Sequence, residues 1–142
     1  MQPVKINDKL SVAKQPALDD FPRLASAGFQ TLINNRPDGE DAAQPGTAAE
    51  ESAAAAAGMA YSHIPVTGPT LTREAVQKFR AEIDAAEGPV LAHCKGGTRS
   101  LTLWAISEVI AGNMRRDEVV EFGRSHGFDL AGAAAWLERN GY

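Results

Sequence analysis

Cys94 is the only cysteine in the 142-residue chain, and its neighbours mark it as the group best suited to chemistry. His93 precedes it, and Lys95, Gly96, Gly97, Thr98, Arg99 and Ser100 follow. The apolar run Pro89-Val90-Leu91-Ala92 suits a buried strand, and Leu101 to Ala111 carries the periodic apolar pattern of a helix, so the cysteine opens a strand-loop-helix turn. A loop closing onto a helix N-terminus directs backbone N–H groups inward, and glycines let it curl without clashes. The expected product is an anion cradle lined by Lys95, Gly96, Gly97, Thr98 and Ser100. Its field and the fixed charge of Arg99 favour thiolate over thiol, which makes Cys94 a nucleophile and Arg99 its catalytic partner. Ser100 is placed to donate a hydrogen bond to the sulfur. His93 is expected to orient the loop through hydrogen bonds rather than to shuttle protons.

These residues need a scaffold, and the rest of the chain reads as one. Val4 to Ile6 and Leu10 to Ala13 form a hairpin around Asn7-Asp8-Lys9. Residues 17 to 28 place Leu18, Phe21, Leu24 and Ala25 at helical spacing, with Gly28 as the stop. Phe29 to Asn34 reads as a strand, followed by a polar loop from Asn35 to Gly46. Thr47-Ala-Ala-Glu50 has the form of a capping box before an alanine-rich helix ending at Gly58. A strand within Met59 to Val66, a helix capped by Thr72 and carrying Ala75, Val76, Phe79 and Ile83 on one face, and the Cys94 strand come next. Residues 117–126 and 130–139 read as two further helices. Trp104 and Trp136 fall on apolar helical faces and are expected in the core; His63 and His126 are expected to be ordinary polar residues.

Alternation of strand and helix from 18 to 112 predicts an α/β fold of three layers, a mostly parallel sheet flanked by helices on both faces. Ligands in such sheets lie beyond the carboxyl ends of the strands. The Cys94 loop, the Arg36-Pro-Asp-Gly-Glu40 loop and the Thr67-Gly-Pro69 loop should therefore share a rim, with Arg36, Asp38, Glu40 and Thr67 nearest Cys94. Arg36 is read as a further anion ligand. Asp38 is the candidate general acid, although Pro-Asp-Gly is also a turn sequence in its own right.

Composition narrows the functional classes. A hydrophobic fraction of 44% over 142 residues suits one domain, 1–142, with a real core. One cysteine rules out an internal disulfide or CxxC pair, and three isolated histidines lack metal-ligand spacing, so no metal and no cofactor are expected. A net charge of −4 argues against a general nucleic-acid binder. The absence of a signal-like h-region or a long apolar stretch points to a cytoplasmic protein without membrane attachment.

His93-Cys94 followed by Arg99-Ser100 resembles the His-Cys-x5-Arg-Ser/Thr signature of protein tyrosine and dual-specificity phosphatases, one residue shorter: Arg99 stands five positions after Cys94 instead of six. Cys-x-x-Gly-x-Arg-Ser is similar to the loop of rhodanese-type sulfurtransferases. With Gln15-Pro16, Gly28-Phe29, Asn35 to Gly39, Ile64-Pro65-Val66 and Cys94 to Trp104, nearly the whole chain resembles the phosphatase-like domain family of beta-lactamase hydrolase-like proteins. That resemblance implies a dual-specificity-phosphatase-like fold. Because some members are fused to a metallo-beta-lactamase-like domain of the persulfide dioxygenase type, it also implies a persulfide dioxygenase acting in trans as a partner.

Loop length then favours sulfur over phosphate. A tetrahedral oxyanion needs a ring wide enough for donors on three oxygens, whereas a single sulfane sulfur needs less room. Dual-specificity phosphatases also carry an Asp after the preceding strand, where this chain has Ile64 to Pro69 and no Asp. The leading expectation is therefore a sulfurtransferase, in which the Cys94 thiolate takes a sulfane sulfur from a small anionic donor to form a persulfide and passes it to an external thiol or other acceptor. The alternative is a phosphatase acting on a phosphoester through a Cys94 phosphocysteine, and a third reading is an anion-binding regulatory domain with an inactive site.

Overall fold

In a computed structural model that describes residues 2–142, five strands form one sheet in the order β1-β2-β5-β3-β4. β1 (Val4–Lys5) and β2 (Leu10–Ala13) are the antiparallel hairpin; its turn closes when Asn7 Oδ1 accepts from the N–H groups of Lys9 and Leu10. β3 (Thr31–Asn34), β4 (Ala60–His63) and β5 (Val90–His93) complete a parallel set with β2. β5 is the middle strand and all four of its residues are buried, so a run of apolar residues fits there without alternation.

Side chains alternate between two cores. Leu32 and Leu91 face α1 (Phe21–Ser26) and α2 (Thr47–Ala56), where they meet Phe21, Leu24 and Ala54. Ile33, Val90 and Ala92 face α3 (Arg73–Ala85), α4 (Thr98–Ile110), α5 (Val119–Ser125) and α6 (Ala131–Arg139). The alanine-rich α2 lies close on the sheet because its buried contact is made by Ala54. α4 is buried from Ser100 through Ser107, which explains why its sequence is apolar on most sides instead of amphipathic. Trp104 and Trp136 are both core residues, as expected, and Trp136 Nε1 donates to the Leu71 carbonyl at 2.8 Å.

The expected three-layer α/β architecture is the observed one, with differences in detail. Residues 17–28 divide into a 3-10 turn, Leu18–Asp20, and the short α1, and residues 116–125 likewise begin with a 3-10 turn at Arg116–Glu118 before α5. The strands are shorter than their apolar runs. Thr72 does cap α3, its side chain accepting from Ala75 N. The capping box at Thr47 does not form. Gly46 is the N-cap, Asp38 Oδ1 takes the Thr47 N–H at 2.8 Å, and Glu50 turns inward to a buried partner, since a hydrogen bond to a buried ring outcompetes one at a solvated helix end. Among the described residues, no helix is long and apolar enough to cross a membrane.

Candidate active site

β5 ends at His93, and Cys94 begins the turn that becomes α4 at Thr98. The turn needs Gly97: its φ is +102°, and a Cβ there would stand 2.9 Å from Phe128 Cε1. This conformation directs the Gly97 N–H at Cys94 Sγ, 3.0 Å away. Cys94 is only 1% exposed, while Lys95, Gly96 and Thr98 around it are exposed. Thr98, Arg99 and Ser100 form the first turn of α4, where N–H groups have no intrahelical acceptor and the helix dipole is positive. The result is a buried sulfur at a helix N-terminus, hydrogen-bonded to an amide and flanked by exposed loop residues.

Arg99 is held by a carboxylate. Its two terminal nitrogens fork onto Glu40, at 2.8 Å to Oε2 and 3.0 Å to Oε1, and one also donates to the Val66 carbonyl at 3.0 Å. Arg36, buried, donates from Nε to Glu40 Oε1 at 3.0 Å. Two guanidinium groups hold the Glu40 carboxyl far below the usual carboxylate range, at about 2, with the hydrogen bond from Arg99 the largest cause. The Arg99 guanidinium is in turn shifted upward, chiefly by that bond, and the neighbouring Cys94 adds to the effect.

Of the residues predicted around Cys94, Arg36, Glu40 and Arg99 are therefore brought into one ion-pair cluster at the rim. Asp38 is placed otherwise. Its carboxylate serves the N-terminus of α2 through Thr47 N, so the candidate acid is committed to a structural hydrogen bond. Thr67 is absorbed in its own turn, pairing with Thr70. Ser100 does not give its proton to the sulfur; it is fully buried and donates to Asn35 Oδ1 at 2.7 Å, which ties α4 to the end of β3. Lys95 is exposed at the mouth of the loop, and its carbonyl accepts from Gln15 N.

His93, expected to orient the loop, makes two buried contacts. Nδ1 lies 3.1 Å from the Cys94 carbonyl and Nε2 lies 2.7 Å from Glu50 Oε1, both contacts buried. Glu50, Tyr61 and Gln15, not among the predicted site residues, join this network. Gln15 Nε2 donates to Glu50 at 2.8 Å while its Oε1 accepts from Arg36 at 3.2 Å, so this one amide joins the His93–Glu50 pair to the cluster of Arg36, Glu40 and Arg99. His63 is a satisfied polar residue, its Nε2 2.8 Å from the Arg36 carbonyl. No local sequence signal marked Glu50, whose partner His93 lies on a strand far along the chain.

Fold and loop together place this chain in the structural class of tyrosine and dual-specificity phosphatases. The family model "Beta-lactamase hydrolase-like protein, phosphatase-like domain" matches residues 4–111, and the chain belongs to that family. Beta-lactamase hydrolase-like proteins from Agrobacterium fabrum and Xylella fastidiosa are 52% and 50% identical over 139 residues, 98% of this chain. The chain spans 32% of the length of these relatives. A candidate phosphatase from Neisseria meningitidis Z2491 superposes with a TM-score of 0.84 at 33% identity, covering 96% of both chains. TpbA of Pseudomonas aeruginosa has a TM-score of 0.74 at 18% identity, covering 96% of this chain and 83% of its own, and is evidence for the fold alone.

Proposed function

We propose that the protein is a cysteine-dependent phosphatase, and that its substrates are phosphoesters with a weakly basic leaving group, such as aryl phosphates. The observation that carries this reading is the Gly97 N–H bonded to Cys94 Sγ at the N-terminus of α4, the arrangement that stabilises negative charge first on sulfur and then on a phosphoryl group beside it. The phosphatase-like family and fold support it and shift the balance away from the sulfurtransferase expected from loop length.

In the reaction, the Cys94 thiolate attacks phosphorus in line with the ester bond; a P–S bond forms as the P–O bond breaks and the aryl oxide leaves. Backbone amides of residues 95–99 and the Arg99 guanidinium carry the charge on the equatorial oxygens. Water then attacks the phosphocysteine, the P–S bond breaks, inorganic phosphate departs, and the water proton passes to solvent. The preference for a weakly basic leaving group follows from the carboxylates present. Glu40 is ionised down to about pH 2 and Asp38 is bonded to Thr47 N, so neither is poised to protonate an alkoxide.

One observation supports the second reading, sulfur transfer: the loop from Cys94 to Arg99 is one residue shorter than the phosphatase pattern. Hydrolysis of p-nitrophenyl phosphate, with inhibition by orthovanadate, is the direct test. The phosphatase reading expects turnover abolished by Cys94→Ser. A wild-type protein without hydrolysis that acquires one sulfur atom on Cys94 from thiosulfate would support the second reading instead.

A further inference from the structure

Asn35 follows the last residue of β3 and is fully buried. An amide in such a place is tolerated only when its polar atoms are bonded, and here each of them is. The backbone N–H donates to the His93 carbonyl at 2.7 Å, and the backbone carbonyl accepts from Val66 N at 3.1 Å. In the side chain, Nδ2 donates to the Ile64 carbonyl at 2.9 Å and Oδ1 accepts from Ser100 Oγ at 2.7 Å. The Ile64 carbonyl can only accept, so it must face Nδ2, and Oδ1 is left for the Ser100 hydroxyl.

Two of the segments that Asn35 holds lead to Arg99. Ser100 is its neighbour in the first turn of α4. Val66 carries the carbonyl to which Arg99 Nη1 donates at 3.0 Å. Asn35 fixes that stretch from both sides, through the Ile64 carbonyl and the Val66 N–H, while Pro65 between them has no N–H to contribute. Arg99 Nη1 bears two hydrogens, one directed at Glu40 Oε2 and the other at the Val66 carbonyl. An oxyanion that displaces Glu40 from the fork therefore leaves the bond to Val66 in place. A buried network with every member bonded is rigid, so both supports of Arg99 are set before an anion arrives.

We propose that Asn35 is a positioning residue for Arg99. Through Ser100 it holds the helix turn that carries the guanidinium, and through Ile64 and Val66 it holds the carbonyl on which the guanidinium stays anchored as it exchanges Glu40 for an oxyanion. The proposal rests on Arg99 binding the oxyanion, as the phosphatase reading has it. Its distinguishing consequence is that Arg99 transmits the effect of Asn35, whereas an amide that only stabilised the fold would act on the site with or without Arg99.

The test is a double-mutant cycle with inorganic orthovanadate as the probe, its binding measured by calorimetry, beside the hydrolysis of p-nitrophenyl phosphate. Asn35→Leu keeps the branched shape of the side chain and removes its polar atoms. It should weaken orthovanadate binding and lower kcat/KM by roughly tenfold in the wild-type background, and change orthovanadate binding by less than about twofold in the Arg99→Ala background. Ser100→Ala should show the same dependence on Arg99, and Ser100→Thr, which keeps the hydroxyl, should retain more of the binding; these two variants carry the test if Asn35→Leu does not fold. Joining Asn35→Leu to Ser100→Ala removes both ends of one buried bond, so it should recover part of the Tm that Asn35→Leu loses and none of the anion binding. Orthovanadate binding that is unchanged by these substitutions, or weakened equally with and without Arg99, would overturn the proposal. If the coupling is found and aryl phosphates are not hydrolysed, the phosphatase reading fails and the positioning role stands; if they are hydrolysed and the coupling is absent, the positioning role fails alone.

Discussion

Arg99 cannot fork onto Glu40 and onto a bound oxyanion at the same time, so Glu40 is the first competitor any anionic substrate meets. Loss of the guanidinium should remove transition-state stabilisation, and we expect Arg99→Ala to lower kcat/KM for p-nitrophenyl phosphate by at least ~10²-fold, with Arg99→Lys recovering only part. Equal kcat/KM in the alanine variant and the wild type would exclude Arg99 from the reaction. The same ion pair has a stability signature. Glu40 is shifted down to about 2 from 4.5, so the stability it contributes is fully present above pH 4.5 and is lost as the pH falls through 2. Denaturant titrations between pH 4.5 and pH 2 should show Glu40→Gln losing less stability over that interval than the wild type; identical losses would mean the pair does not stabilise the fold. At this scale the sequence showed which loop would meet Arg99 but not which carboxylate, because the Pro37-Asp38-Gly39 turn sets the direction of each side chain. Glu50 was illegible for a related reason. Its partner His93 is 43 positions away and becomes a neighbour only when α2 docks on the sheet.

Among the elements, the turn from β5 to α4 carries the most stringent local requirement. Gly97 combines a left-handed φ of +102° with Phe128 packed where a Cβ would go, so Gly97→Ala incurs both backbone strain and a clash. A loss of roughly 2 kcal/mol is expected, read by calorimetry as a lower Tm, together with loss of aryl phosphate hydrolysis because the amide bonded to Sγ moves. Unchanged Tm and unchanged rate would show that the turn tolerates another geometry. The element pattern was largely legible. The hairpin at Asn7, the Thr72 cap and the alternation of strands and helices are local signals, set by side-chain period and turn chemistry. The Thr47 cap was misread because its competitor Asp38 comes from a loop nine residues earlier, a contact that no propensity encodes.

For the molecule as a whole, the parallel order β2-β5-β3-β4 brings the loops after β2, β3 and β5 to one edge, and Gln15, Arg36, Glu40, Cys94 and Arg99 meet there. The meeting of the loops after β3 and β5 was expected from topology, since parallel strands present their carboxyl ends together, whereas the expected third loop was that of Thr67 and not that of Gln15. The choice between sulfur and phosphate was not anticipated, because loop length and the missing Asp between Ile64 and Pro69 both pointed to sulfur, and the family and the fold lean the other way. The central claim is that Cys94 takes up a phosphoryl group from an ester. Its most direct test is the intact mass of the protein, acid-quenched during turnover of p-nitrophenyl phosphate, with the modified residue located by fragmentation. The account predicts a mass increase of one phosphoryl group on Cys94, absent from Cys94→Ser. Steady hydrolysis with no phosphoryl group on Cys94 and undiminished rate in Cys94→Ser would contradict it.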